Sequence, residues 1–399
     1  MDFLAYQNAL RERVGRLPLP FDPAEYRRRQ DAVRAGMRFA GLDALLVTHP
    51  GEINYLCGYE TFEVSVHTAL LVTPESLVLQ VPSIETGPAV TGTLADEVLG
   101  YRWEGIQGVV GQLAERIDRE RRAGHPVLGV DLWGGGLRAG VLRGLEERLP
   151  GWSTADAAGI VGRVRRVKSR AELAILERSA RLTELGLDAA VARVSPGTTD
   201  SEIAAAGAEA MLRGGSEFMS MQPIVAVGRR GSVIHTNHRR TRVEPDDPVF
   251  LEFGSAWCRY TAPAMRTVVA GRPSGAMRDV CAVVEDLFGV LCERMRPGRS
   301  FDQAAEAAEQ ALRPVADRVF FSGVYGYTVG AAFPPSWVEG SGFVARGEAD
   351  VFEVGMVFHL PLCLRVPGEW GIGFSETVRV TEAGARPVTA NRWGLLQVP

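Results

Sequence analysis

Hydrophobic positions along the chain follow two periods, and the order in which they alternate predicts two kinds of architecture. In EYRRRQDAVRAGMRFAG, Val33, Met37 and Ala40 recur at helical spacing, and the β-rich run DALLVT follows directly. Strand-like runs at HTALLV, LVLQV and PVLGVD and helix-like stretches at GIQGVVGQLAERIDRERR and LRAGVLRGLEERL continue the alternation to about residue 150. After GWSTADAAGI the character changes. Ser169 and Glu172 have the spacing of a capping box, and Leu173, Leu176, Ala180, Leu187, Val191 and Val194 then form one helical face that Pro196-Gly197 ends. Thr199 and Glu202 repeat the capping signature ahead of a second helix through about Leu212. Strands are predicted at PIVAVG, PVFLEFG and MRTVVAG, helices near residues 274–294 and 301–313, and further strands at GMVFHLPLCL and ETVRVTEAG. Helices followed by runs of strands predict an α+β domain over 166–399, preceded by a smaller α/β domain over 1–165.

Composition narrows the function classes. A length of 399 residues exceeds one ordinary core, which agrees with two domains. Apolar residues at 46% and charged residues at 23% give enough core-forming side chains to exclude general disorder. No apolar run approaches the roughly 20 residues of a membrane span, and MDFLAYQNALRERVGRL lacks the apolar segment of a secretion signal, so a cytoplasmic location is expected. The five cysteines are scattered without a C-x-x-C pair, which predicts free thiols and no cysteine-bound zinc. A net charge of -4 offers no general attraction to nucleic acid or anionic lipid, leaving a small molecule as the expected partner.

The motif order then carries a resemblance. RRVKSRAELAILERSA at the domain join, IHTNH, VFLEFGSAWCRYTAPAMRT, YGYTVGAAFPPSW and GMVFHLPLCLRVPGEWGIGFSETVRVTEAG resemble, over nearly the whole chain, the creatinase, prolidase and methionine aminopeptidase family. That resemblance implies a pita-bread catalytic domain behind a creatinase-like N-terminal domain. It also implies five metal-binding positions, at which this chain has Glu252, Pro263, Tyr327, Pro361 and Ser375. Proline has no side-chain donor, and one carboxylate in five positions does not suit two divalent ions, so no metal or other cofactor is expected. Glu252-Phe253, Tyr260 with Pro263, Phe333-Pro334-Pro335 with Trp337, Phe358-His359 with Pro361, and Trp370-Gly371 with Ser375-Glu376 look most like the metal-free ectoine hydrolase branch. INYLCGYETFEVSVH points the same way, with Phe62 in place of that branch's tryptophan. The implied activity is hydrolysis of a C–N bond in a small cyclic amidine or amide by a homodimer. The alternatives are an Xaa-Pro-type metallopeptidase homologue and a catalytically inactive small-molecule or partner-binding protein.

The candidate chemistry centres on two residues. Glu252 interrupts the apolar run VFLEFG, where an ionised carboxylate is costly unless paired, and the resemblance makes it the group that attacks the amidine carbon. The plainer alternative is a glutamate facing solvent at a strand end. His235 matches the family's catalytic histidine and suits proton transfer at neutral pH, although a histidine beside His238 and several arginines also fits a solvated basic loop. Tyr327 and His359 are candidates to contact substrate or are satisfied core residues; Glu376 is a candidate cation partner or a surface residue facing away from Ser375. Phe62 and Trp337 are candidates to wall a pocket for a flat cation, and Cys258 to line it or form a pair with histidine.

Overall fold

The computed structural model describes residues 1–105, 107–121 and 124–398, in two compact units that meet between Arg165 and Arg166. The first unit is built on a six-stranded mixed sheet in the spatial order Glu97–Tyr101, Leu77–Pro82, Ala69–Val72, Ala44–Val47, Val127–Val130, Ser153–Asp156. Strand side chains alternate between faces, so Leu45 and Val47 enter one apolar cluster while Ala44 and Leu46 enter another on the opposite side. The predicted helices form at Pro23–Phe39, Gln107–Asp118 and Ala139–Arg148. A further helix at Phe3–Arg13 has no apolar stripe to signal it: its one buried side chain is Gln7, whose amide donates to the Val98 carbonyl.

In the second unit both capping boxes form as the spacing predicts, at the starts of Arg170–Arg193 and Asp200–Arg213. These helices pack on a four-stranded sheet ordered Leu396–Val398, Ala264–Ala270, Pro248–Phe253, Ile224–Val227. Along the strand Pro248–Phe253, Val249, Leu251 and Phe253 join the helices' apolar residues, among them Leu187, Ile203 and Met211. Phe250 faces the other way, into a cluster with Ile224, Ala226, Ile234, Met265 and Cys363, and Glu252 shares that side by the alternation of the strand. The helices Gly275–Arg294 and Phe301–Leu312 contribute to a separate core together with Phe358, Val378 and Val344 of a five-stranded sheet. That sheet runs Val338–Val344, Gly326–Val329, Val357–His359, Thr377–Thr381, Gly384–Pro387.

The single strand expected across GMVFHLPLCL is two. Val357–His359 stays in the five-stranded sheet, while Leu362–Val366 leaves it to pair with Trp370–Phe374. The break falls at Leu360-Pro361, where proline has no N–H to continue a ladder and the Leu360 N–H goes to the Glu376 carbonyl.

A buried ion pair holds the strand beside Trp337. Lys168, the sole lysine of the chain, donates from Nζ to Glu339 Oε2 at 2.7 Å, and the Ser341 hydroxyl donates to the other oxygen of Glu339 at 2.9 Å. Gly330 approaches so closely that a Cβ there would lie 2.3 Å from Glu339 Oε2. Glu339→Ala is expected to leave the ammonium buried without its carboxylate and to lower stability by about 3–5 kcal/mol in urea unfolding. The double variant Lys168→Met/Glu339→Leu should recover most of that loss; a single-variant effect under about 1 kcal/mol would exclude the clamp.

Candidate active site

Glu252 is buried, 2% exposed, and among the described residues its Oε2 has no hydrogen-bond partner. Its register partners across the sheet are Ile224 and Met265, so two apolar side chains flank it on the same face. No described ion pair reaches it. Burial alone pushes its carboxyl up to about 8, so the group is largely protonated at neutral pH.

Beside it lies a chain of neutral hydrogen-bonding groups. Trp337 Nε1 donates to Tyr327 Oη at 2.8 Å, Tyr327 Oη bonds His359 Nδ1 at 2.8 Å, and His359 Nε2 bonds Ser375 Oγ at 2.6 Å. The Met265 N–H donates to Ser375 Oγ at 2.6 Å, closing the chain on the strand next to Glu252. Burial holds His359 down to about 3, hence neutral, and holds the Tyr327 phenol protonated, with the charge of Glu252 acting in the same direction. His359 therefore spends both ring nitrogens on protein partners and has none to offer a ligand. Trp337 stands edge-on to His359 at 88° and is buried, which makes it part of this chain and corrects the expected stacking wall.

A cavity of about 480 Å³ opens on the same side of the sheet, lined by Met219, Ser220, Met221, Gln222, Ile224, His235, Thr236, Asn237, Pro334 and Pro335. Glu252 does not itself line it; its cross-strand partner Ile224 does. His235 is exposed on the rim, and it and Ile234 both have left-handed backbones, φ 55° and 40°. For a β-branched residue that conformation is strained, and it persists because the surroundings impose it. Ile234 is anchored in the apolar cluster, and Arg230 donates to Thr236 Oγ1 at 3.0 Å and to the Asn237 carbonyl at 2.5 Å. Arg230 is in turn paired with the fully buried Asp200, which also accepts the N–H groups of Arg239 and Thr241. The histidine is thus presented by a braced loop.

Sequence reasoning did not single out the residue that joins the two cavity walls. The Arg259 guanidinium lies 3.7 Å from the Phe218 ring centroid and 4.7 Å from that of Phe333. It donates to the carbonyls of Phe218 and Ala332, at 2.8 and 2.7 Å, and to Ser220 Oγ at 3.2 Å. Its neighbour Cys258 does not line the cavity, and its backbone N–H is held by Glu217. Asp200, Arg230 and Ser375 were likewise unmarked as supports, since their partners are brought together only by the fold.

Two further candidates are placed elsewhere. Glu376 is buried as Ser375's opposite-facing neighbour, but it is not a surface residue. It is bonded by the Thr389 hydroxyl, by the Asn391 N–H at 2.9 Å and by Trp393 Nε1 at 3.1 Å, so it ties down the C-terminal segment and is not free to pair with a cation. Phe62 belongs to the first unit and is 85% exposed.

The donor set does not fit a dinuclear metal centre. Glu252 is the one carboxylate among the five matching positions, Tyr327 and Ser375 are committed to His359, and Pro263 and Pro361 have no side-chain donor. Among the described residues no group of three or more His, Cys, Asp and Glu could hold a metal ion.

Comparison with known proteins agrees with this architecture. The pattern of metallopeptidase family M24 matches residues 174–382, and that of the creatinase/prolidase N-terminal domain matches residues 29–167. The chain is 29% identical to an uncharacterized hydrolase/peptidase of Sinorhizobium fredii, over 93% of this chain and 97% of that one. It is 26% identical to the ectoine hydrolase of Halomonas elongata, over 92% and 95%. The crystal structure of the prolidase from Pyrococcus horikoshii superposes with a TM-score of 0.79 at 20% identity, covering 92% of this chain and all of that one. The expected pita-bread fold behind a creatinase-like domain is therefore correct.

The buried carboxyl has a measurable consequence. The unfolded chain ionises this glutamate near its ordinary value of 4.5, whereas the native state retains the proton until about 8. The native state is therefore progressively penalised as pH rises through that window, by up to roughly 5 kcal/mol above it. Glu252→Gln should match the native protein in thermal stability near pH 4 and exceed it above pH 8. Parallel melting curves at all pH values would show that Glu252 is solvated or paired.

Proposed function

We propose that this chain, which belongs to metallopeptidase family M24, is a hydrolase that opens a C–N bond of a small cyclic amidine or amide without a metal ion. The observation that carries the reading is Glu252, a buried carboxyl that among the described residues has an unbonded oxygen and no cation paired with it. An amidinium ligand brings the missing positive charge together with an electrophilic carbon, so its arrival favours the carboxylate over the acid. Glu252 Oε2 then either adds to that carbon or directs a water onto it. In both cases the C=N electron pair moves to a ring nitrogen, which must gain a proton before the C–N bond breaks. His235, exposed on the cavity rim, can move that proton between water and the ring nitrogen. Once the amine has left, a covalent adduct of an amidine is an acyl imidate, which water hydrolyses to the open-chain amide and the free glutamate. The 26% identity to an ectoine hydrolase over 92% of the chain supports this substrate class. A homodimer in the cytoplasm is part of the same proposal.

Protein treated with chelator is expected to convert ectoine or a related cyclic amidine to its ring-opened product, read by mass spectrometry, at the rate of untreated protein. Glu252→Gln should lower that rate at least about a hundredfold. Failure of the native protein to turn over any such compound would overturn the reading, and dipeptide cleavage stimulated by manganese or cobalt would replace it with the peptidase reading.

A further inference from the structure

Tyr327, His359 and Ser375 form a chain with an obligate donor at each end. Trp337 Nε1–H and the Met265 N–H can only donate, so Tyr327 Oη and Ser375 Oγ each accept one hydrogen bond from outside the chain. The neutral imidazole between them has a single N–H, which leaves two arrangements. In one, Tyr327 donates to Nδ1, Nε2–H donates to Ser375, and the serine proton is left over. In the other, Ser375 donates to Nε2, Nδ1–H donates to Tyr327, and the phenolic proton is left over.

The surroundings distinguish them. Ser375 is fully buried, and among the described residues its Oγ bonds nothing besides His359 and the Met265 N–H. A leftover serine proton would be stranded in the interior, at a cost of about 1–3 kcal/mol. A leftover phenolic proton lies within electrostatic reach of Glu252, whose Oε2 is itself without a partner among the described residues.

We propose that His359 is held as its Nδ1–H tautomer and that this makes Tyr327 a dedicated hydrogen-bond donor to the group that reacts at Glu252. His359 and Ser375 are then positioning residues, and Trp337 adds a second N–H to the same phenol oxygen. A hydroxyl that accepts two N–H bonds is polarised and donates more strongly through its own proton. Aimed at the oxygen on which negative charge develops when water attacks a Glu252 adduct, it stabilises that charge. No net proton transfer along the chain is required. The donor role rests on the hydrolase reading above; the tautomer does not.

The tautomer is tested on the full-length native protein labelled with 15N-histidine, with His359 assigned by its absence from the spectrum of His359→Gln. Long-range 1H–15N correlations are expected to show a protonated Nδ1 and a bare Nε2, unchanged between pH 5 and 8. An Nε2–H ring or an imidazolium overturns the proposal whether or not any substrate is turned over. With a turned-over amidine, Tyr327→Phe and Ser375→Ala should each lower kcat about tenfold or more with KM within twofold. The double variant should be no slower than Tyr327→Phe alone, and Ser375→Thr should retain both tautomer and rate. Losses that multiply in the double variant would overturn the donor role and leave Ser375 as a packing residue.

Discussion

A carboxyl group with no counter-charge among the described residues sits on the apolar face of the strand Pro248–Phe253, and the neutral groups around it answer to that constraint. Isolated burial of an ionised carboxylate is prohibitively costly, so Glu252 is held as the acid, and the side chains beside it across the sheet and in the hydrogen-bonded chain are uncharged. Ile224 and Met265 flank it across the sheet, while Tyr327 and His359 are kept uncharged by the same burial. Three ion pairs of this unit leave Glu252 out. Lys168 has Glu339, Arg230 has Asp200, and Arg266 has Asp188, each at hydrogen-bonding distance. A site built this way discriminates by charge, because a cation relieves the cost of ionising Glu252 and an anion increases it.

Much of this was legible in the sequence because it is local. The helices Arg170–Arg193 and Asp200–Arg213 announce themselves by capping boxes within four residues of chain, and Glu252 by a charge inside VFLEFG. The chain that surrounds Glu252 was not legible, because its members come from four separate stretches and only tertiary packing brings Met265, Tyr327 with Trp337, His359 and Ser375 together. His359 shows the difference. As one residue in FHL it is equally consistent with binding a ligand or with satisfaction inside the core, and the partners of its two nitrogens decide for the second. Arg259 was invisible for a related reason: an arginine in SAWCRYT reads as solvated, and it is buried because two phenylalanines from distant loops enclose it. For Glu376, strand alternation correctly turns it away from Ser375, but the alternative of a surface position fails because the C-terminal segment covers it.

Four of the five positions that the resemblance matches to the family's metal ligands are engaged with other parts of this chain. Ser375 caps a histidine and receives the Met265 N–H, Tyr327 is joined to Trp337, and the carbonyl of Pro263 accepts the Thr377 hydroxyl at 2.8 Å. Pro361 sits at the break between Val357–His359 and Leu362–Val366, so it shapes the sheet that carries His359. The fold is kept by packing and by the pairing of strands, which depend on side-chain shape and backbone bonds and need no ion between carboxylates.

The direction of the bonds around Tyr327 matters as much as their existence. A phenol that donated to His359 would present only lone pairs towards Glu252, and a protonated Glu252 could then satisfy it, closing the site on itself. With the phenol accepting from both Trp337 and His359, as proposed, its own proton is left over from the chain, and among the described residues Oε2 of Glu252 is without a partner as well. A ligand that offers an acceptor to the one and an electrophilic, positively charged carbon to the other satisfies both at once. On the proposed reading, the selectivity of the site would come from two deficits of opposite kind, at Glu252 and at the Tyr327 hydroxyl.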